Sequence, residues 1–144
     1  FALLVPGGAI HRPGKHWPQS CYGELVEALW AREIQPVLLG LEDEAGLLHD
    51  IAASCAGAVN LAGRTDLMEI AEMSRRAVTA VGNDTGPMHL IAAAGCPSVV
   101  LYSHKSDPAL CAQRGASVSI LRRESLDQLS VDEVLTEAVS LIVA

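Results

Sequence analysis

Short apolar runs alternate with longer amphipathic stretches along most of the chain. In the amphipathic stretches, apolar residues recur at the spacing of one helix face, whereas the short runs are continuous and aliphatic, which is typical of buried strands. The pattern predicts strands at 2–6, 35–39, 59–61, 77–81, 98–102 and 118–121. It predicts helices at 20–32, 44–55, 66–75 and 87–94, and a last helix that begins near 131.

Cap and turn residues support these bounds. Thr65 or Asp66 can cap the third helix, Pro87 suits the first turn of the fourth, and Ser130 with Glu133 has the capping-box spacing. The repeated strand–helix order predicts an α/β fold with a Rossmann-like, doubly wound, mostly parallel sheet. Ligands of such sheets bind at the carboxyl ends of the strands, so functional residues are expected in the loops that follow them.

Composition narrows the class of protein. The 144 residues are half hydrophobic, which suits one domain over 1–144, and the net charge of −7 argues against a nucleic-acid partner. No apolar run is long enough to predict a transmembrane segment.

The four cysteines show no C-x-x-C spacing and are expected to be reduced, in a cytoplasmic protein. The chain starts without Met, inside an apolar run with no basic flank, which predicts a fragment of a longer protein with no signal peptide.

The loop after the first strand is locally basic. It contains His11, Arg12, Lys15 and His16, and no acidic residue precedes Glu24. A basic loop at a strand end suits an anion, and Lys15 is the best single candidate; a solvated basic loop is the alternative. The spacing fits neither a P-loop nor a dinucleotide-binding fingerprint.

The turn Asn-Asp-Thr-Gly-Pro-Met-His at 83–89 gives the sharpest signal. It joins a buried strand to a helix whose first N–H groups and dipole favour a diphosphate, with Thr85 adding a hydroxyl and Gly86 allowing close approach. Asp84 would repel a diphosphate, so it suits sugar hydroxyls or loop N–H groups better. In the alternative interpretation, Asp84 or Thr85 only caps the helix and His89 is a core or cap histidine.

The loop after the second strand carries three consecutive carboxylates. Glu42, Asp43 and Glu44 either form a solvated helix start, which the helix dipole favours, or supply an acceptor for ribose hydroxyls. No D-x-D motif or histidine cluster occurs, so no metal site is predicted.

Together these residues resemble glycosyltransferase family 9, whose best-known members are the lipopolysaccharide heptosyltransferases. The resemblance runs from about residue 5 to about residue 115. It rests on Pro-Gly at 6–7, Lys-His-Trp-Pro at 15–18, Gly40 with Glu44, and the string GNDTGPMHLIAAAGCP at 82–97.

The resemblance implies one half of a two-domain GT-B enzyme, namely the C-terminal domain that binds the nucleotide-sugar donor. Lys15 matches the lysine near the donor phosphates, and Glu44 matches the acidic residue on the ribose. The loop that holds the diphosphate and sugar corresponds to Asp84, Thr85 and Gly86, with His89 beside it. No catalytic residue is assigned, because the base is expected in an N-terminal domain that the chain lacks.

The implied activity is transfer of a sugar, heptose from ADP-heptose, to a lipopolysaccharide-type or other glycan acceptor. Transfer would proceed with inversion and without a metal or cofactor, and the chain alone would be inactive. A lipid-linked acceptor would bind through the missing domain, at the inner face of the cytoplasmic membrane. The alternatives are a non-catalytic nucleotide-binding module or an epimerase of GT-B architecture. Ala9 and the loop at 103–108 depart from the family pattern and leave the sugar open.

Overall fold

A computed structural model describes residues 1–8 and 13–143, which form one six-stranded parallel sheet with helices on both faces. The strands are β1 (Ala2–Val5), β2 (Pro36–Leu38), β3 (Val59–Asn60), β4 (Thr79–Asn83), β5 (Ser98–Tyr102) and β6 (Val118–Arg122). The helices are α1 (Gln19–Trp30), α2 (Ala45–Ala52), α3 (Leu67–Ser74), α4 (Gly86–Ala93), α5 (Pro108–Cys111) and α6 (Val131–Ile142). Short 3₁₀ turns occur at Pro13–Lys15, Glu42–Glu44 and Leu126–Gln128.

The strand order is β3-β2-β1-β4-β5-β6, and every pair is parallel. The prediction of a Rossmann-like, doubly wound sheet is therefore confirmed. After β1, the chain adds β2 and β3 on one side of β1, and it then adds β4, β5 and β6 on the other side of β1. This reversal opens a crevice at the carboxyl ends of β1 and β4, where ligands of such sheets bind.

Alternate residues of the central strands pack on opposite faces of the sheet. In β1, Ala2 and Leu4 join the core beneath α1, α2 and α6, while Leu3 and Val5 join the core beneath α3 and α4. All four are almost fully buried. Burial of both faces explains why β1 is a continuous apolar run, as expected for a central parallel strand.

Two helix starts confirm the cap predictions. The side chain of Asp66, rather than Thr65, caps α3 by accepting from the backbone N–H of Glu69 at 2.8 Å. Ser130 and Glu133 form the predicted capping box at the start of α6. This last helix packs across the sheet, where it contacts α1, β4 and β5.

Most element boundaries differ from the sequence predictions by one to three residues, and one short helix is additional. β4 lies two residues later than predicted, because its pairing with β1 and β5 runs from Thr79 to Asn83. The second helix begins at Ala45, after a 3₁₀ turn. The short helix α5 was not predicted; Pro108 opens it, and the carboxylate of Asp107 accepts from the N–H of Ala109 at 2.9 Å.

Two further expectations concern the cysteines and membrane insertion. All four cysteines are free thiols, as predicted. Among residues 1–8 and 13–143, no helix combines the length and the apolar character needed to cross a membrane.

Candidate functional site

A cleft of about 610 Å³ opens at the carboxyl ends of β1, β2 and β4. This volume is in the range of small-molecule sites. One part of its wall is apolar, formed by Val5, Leu39, Leu41 and Ile70. The other part is polar and comes from the loops that follow the strands, with the side chains of Lys15, Asp43, Glu44, Thr65, Asp84 and Thr85. The cleft therefore offers apolar contacts as well as charged and hydrogen-bonding groups to a ligand.

An ion pair forms part of the polar wall. Nζ of Lys15 donates to Oδ2 of Asp84 at 2.9 Å, and the two side chains are only 17% and 7% exposed. Burial favours the neutral form of Asp84, but hydrogen bonds from Lys15, Gln113 and Ser106 outweigh it and hold the pKa of this carboxyl below its usual value. Asp84 is therefore ionised at neutral pH and fixes the ammonium group of Lys15 in the cleft.

Glu44 ties two loops of the cleft together. Its Oε2 accepts from the N–H of Gly8 and its Oε1 from the N–H of Leu41, both at 2.8 Å. A Cβ on Gly7 would overlap this carboxylate, which would then have to move away from its two N–H partners. Each carboxylate oxygen can accept a second hydrogen bond, which leaves capacity for a hydroxyl of a ligand.

The N-terminus of α4 faces the cleft without a side-chain cap. Thr85 occupies the N-cap position, but its side chain makes no capping hydrogen bond, and its buried Oγ1 has no partner among the described residues. The buried Nε2 of His16 is also without a partner in that part of the chain. A Cβ on Gly8 would lie 3.0 Å from this nitrogen and 3.3 Å from Cγ2 of Thr85, so the two residues flank Gly8. Free N–H groups, the helix dipole and Lys15 together form a site for an anion.

Asn83 connects the loop after β1 to the start of α1 and to the end of β4 through buried hydrogen bonds. Its Oδ1 accepts from the N–H of Trp17 at 3.1 Å and from the hydroxyl of Tyr22 at 2.9 Å. Its Nδ2 donates to the carbonyls of Pro6 at 2.9 Å and Gly7 at 3.2 Å. The sequence pattern predicts only a turn at Asn83. A polar residue at the end of a buried strand, however, requires partners, and this signal pointed to it.

The family of this chain follows from its match to a model of a known protein family. A model of glycosyltransferase family 9 (heptosyltransferase) matches residues 1–133. The chain belongs to glycosyltransferase family 9. The resemblance stated from the sequence motifs is therefore confirmed.

Curated relatives of this family 9 chain are heptosyltransferases. It is 34% identical over 107 residues to lipooligosaccharide heptosyltransferase 2 of Haemophilus influenzae, a match that covers 69% of the chain and 30% of that protein. It is 35% identical over 104 residues to lipopolysaccharide heptosyltransferase 2 of Escherichia coli, with the same two coverages. The matches thus span less than a third of each relative's length.

Solved structures of the family share the fold. The structure of E. coli ADP-heptose lps heptosyltransferase II has a TM-score of 0.91 and 28% identity, and the match covers 99% of this chain and 46% of that one. The structure of E. coli heptosyltransferase WaaC with ADP has a TM-score of 0.86 and 27% identity, over 98% of this chain and 44% of that one. The chain thus spans less than half of each two-domain relative, and its fold is one half of a GT-B fold.

Five predicted donor-binding residues of this family 9 domain come together at one cleft. Lys15, Glu44, Asp84, Thr85 and Gly86 all line it, although they come from three segments that follow different strands, and their roles in donor binding stay predictions. Asp84 has two side-chain partners that the sequence analysis did not predict, Lys15 and Gln113, and its contact with sugar hydroxyls stays a prediction.

The other predicted features have different positions. His89 is exposed on α4 and does not line the cleft, so it is neither a core histidine nor a wall residue. Ala9, His11 and Arg12 lie outside the described residues. Lys105, from the divergent loop, packs its side chain on Gly14, with Cε 3.2 Å from the position of a Cβ there. In the described part of the chain, no cluster of three or more His, Cys, Asp or Glu residues could hold a metal.

Proposed function

We propose that this chain is the donor-binding domain of a glycosyltransferase that uses a nucleoside-diphosphate sugar, with ADP-heptose as the donor. One observation carries the proposal: Lys15 and the uncapped start of α4 share a cleft with Glu44. A diphosphate bound by Lys15 and α4 would then lie next to a ribose bound by Glu44. The family match supports the sugar chemistry. One similar E. coli structure is described with ADP, and another with ADP-2-deoxy-2-fluoro heptose.

The proposed orientation of the donor follows from the two parts of the cleft. The adenine would pack in the apolar part, between Val5, Leu39 and Ile70, and the ribose hydroxyls would donate to Glu44. The diphosphate would then lie between Lys15 and the first N–H groups of α4. Lys15 uses one of its three N–H donors on Asp84 and keeps the others for phosphate oxygens.

The proposed reaction is inverting transfer to a lipopolysaccharide-type or other glycan acceptor. Negative charge grows on the nucleoside diphosphate as it leaves, and Lys15 and the α4 N–H groups would stabilise it in place of a metal. The acceptor, and the base that deprotonates its hydroxyl, would belong to the other domain of a GT-B enzyme. We therefore expect no sugar transfer by this chain alone, and we place the reaction of the whole protein at the inner face of the cytoplasmic membrane.

Calorimetric titration of the chain with ADP, UDP, GDP and CMP tests the proposed donor. We expect ADP to bind most tightly, and adenosine to bind more weakly because it lacks the group that Lys15 and α4 recognise. Binding of none of these ligands would contradict the proposal. Tighter binding of another nucleotide would retain a donor site but refute ADP-heptose as the donor.

Lys15→Ala should weaken binding of ADP far more than binding of adenosine. Loss of a charge-assisted hydrogen bond costs about 1.5–3 kcal/mol, and the unpaired carboxylate of Asp84 would add repulsion of the diphosphate. Titration of both ligands into the variant measures the difference. Arg32→Ala is the matched control, since it removes an equal charge from an exposed position. An equal loss for ADP and adenosine would mean that Lys15 does not contact phosphate.

Glu44→Ala should weaken adenosine and ADP by the same factor, because the proposed partner of Glu44 is the ribose that both ligands contain. The same titrations measure it. Glu42→Ala is the control, because this neighbouring carboxylate is exposed and does not line the cleft. Unchanged binding of both ligands would place the ribose elsewhere.

A further inference from the structure

Gln113 is a buried polar residue in the segment between α5 and β6. The residue is only 4% exposed, and its Nε2 donates to Oδ1 of Asp84 at 3.0 Å. Its Oε1 accepts from the hydroxyl of Tyr102 at 2.6 Å. Tyr102 is the last residue of β5 and is completely buried. A hydrogen-bonded chain therefore runs from the sheet core through Gln113 to Asp84 and ends at Lys15.

The direction of each hydrogen bond in this series, from donor to acceptor, is fixed by chemistry. An ionised carboxylate only accepts hydrogen bonds, so the amide of Gln113 must turn its NH₂ group to Asp84. Its carbonyl then faces Tyr102, which must donate. Burial raises the pKa of Tyr102, and the nearby charge of Asp84 raises it further, so the hydroxyl stays protonated. The hydroxyl of Tyr102 also lies 3.2 Å from the carbonyl oxygen of Cys111, but Oε1 of Gln113, at 2.6 Å, is the nearer acceptor.

We propose that Gln113 and Tyr102 are positioning residues of the donor site, which hold Asp84 so that its other oxygen presents Lys15 to the diphosphate. The inference rests on the proposed function. It extends the site to a segment that neither lines the cleft nor belongs to the motifs at 15–18 and 82–97. Because Gln113 follows the divergent loop at 103–108, the conformation of that loop also determines the position of Asp84.

The groups around Asp84 define what a substitution would change. Lys15 is its cation, Gln113 and Ser106 are its neutral donors, and Tyr102 lies behind Gln113. Gln113→Glu keeps the shape but replaces the amide donor with a second carboxyl. Two carboxyls at hydrogen-bond distance bind one proton between them, in a step well above the pKa of an isolated carboxyl. The bound proton restores a donor to Asp84.

Carbon-13 NMR of Asp-labelled chain, without any ligand, measures this coupling. In the unsubstituted chain the Asp84 carboxyl should titrate below the usual range. In Gln113→Glu, the Asp84 carboxyl signal should show an additional titration with a pKa above the usual range. Gln128→Glu adds the same charge at an exposed position and should leave the titration of Asp84 unchanged.

The affinity for ADP supplies a readout that a merely structural role would not affect. At pH values above the pKa of the shared proton, Gln113→Glu should bind ADP about tenfold more weakly than the unsubstituted chain. A tenfold change equals about one pKa unit of differential interaction. The affinity should recover at acidic pH, where the shared proton is bound. The ratio to the unsubstituted chain at each pH cancels the titration of ADP itself. Tyr102→Phe, which removes only the hydroxyl, should weaken ADP about three- to tenfold at every pH.

An Asp84 titration that is the same in Gln113→Glu and Gln128→Glu would overturn the inference. So would an affinity ratio that does not change with pH in Gln113→Glu, or unchanged ADP affinity in Tyr102→Phe. If the unsubstituted chain binds no ADP, the proposed function fails by itself, and with it the role of these residues in donor binding. The ligand-free titration still shows in that case whether the chain of hydrogen bonds controls Asp84.

Discussion

Asn83→Ala should lower the free energy of unfolding by at least about 3 kcal/mol, because it removes four hydrogen bonds from a fully buried position. The Tyr22 hydroxyl and the carbonyls of Pro6 and Gly7 would be left unpaired in the core. A domain of this size has a total stability of about 5–15 kcal/mol, so the loss is a large fraction of it. Urea unfolding measures the change.

Two further variants calibrate this result. Tyr22→Phe removes one partner of Asn83 and should cost about 1 kcal/mol. Asn60→Ala is the matched control, since Asn60 is only partly buried and its side chain accepts one local hydrogen bond, from the N–H of Ala62. A loss in Asn83→Ala no larger than that in Asn60→Ala would show that the network does not hold the β1 loop in place.

Gly7→Ala should combine a loss of stability with a loss of ligand binding. A Cβ at this position overlaps the carboxylate of Glu44, which must move and give up its bonds to the N–H groups of Gly8 and Leu41. We expect unfolding to be easier by about 2–4 kcal/mol, and ADP to bind at least about tenfold more weakly. Urea unfolding and calorimetry measure the two effects.

The double variant Gly7→Ala with Glu44→Ala separates this clash from any other effect of the methyl group. With the carboxylate removed, the methyl group has room, so the double variant should be more stable than the sum of the single losses predicts. It should still bind ADP poorly, because the proposed ribose acceptor is gone. Gly46→Ala is the control for glycine replacement, since a Cβ there meets open space in α2. Additive losses in the double variant would contradict the proposed clash.

The order of elements and the fold class could be predicted from the sequence, because both faces of the central strands are buried and the helices have clear periodicity. The register could not be predicted. Gly82 and Asn83 have the composition of a turn, yet both belong to β4 because Val5 and Leu101 pair with them. Tertiary pairing overrides local preference in such cases.

The cleft could be predicted in part, for a topological reason. Lys15, Glu44 and Asp84 each follow a strand of a parallel sheet, and the carboxyl ends of those strands meet at one edge. The partners of these residues could not be predicted. Gln113 reaches Asp84 from a segment whose path depends on the unpredicted helix α5, and no spacing rule connects the two residues.

A crystal structure of the chain with ADP tests most directly whether this cleft is the donor site. We predict phosphate oxygens within hydrogen-bond distance of Nζ of Lys15 and of the N–H of Gly86, with the ribose hydroxyls at the carboxylate of Glu44. The opposite orientation in the cleft, with the adenine at Lys15, would contradict it. ADP bound at another edge of the sheet would contradict it as well.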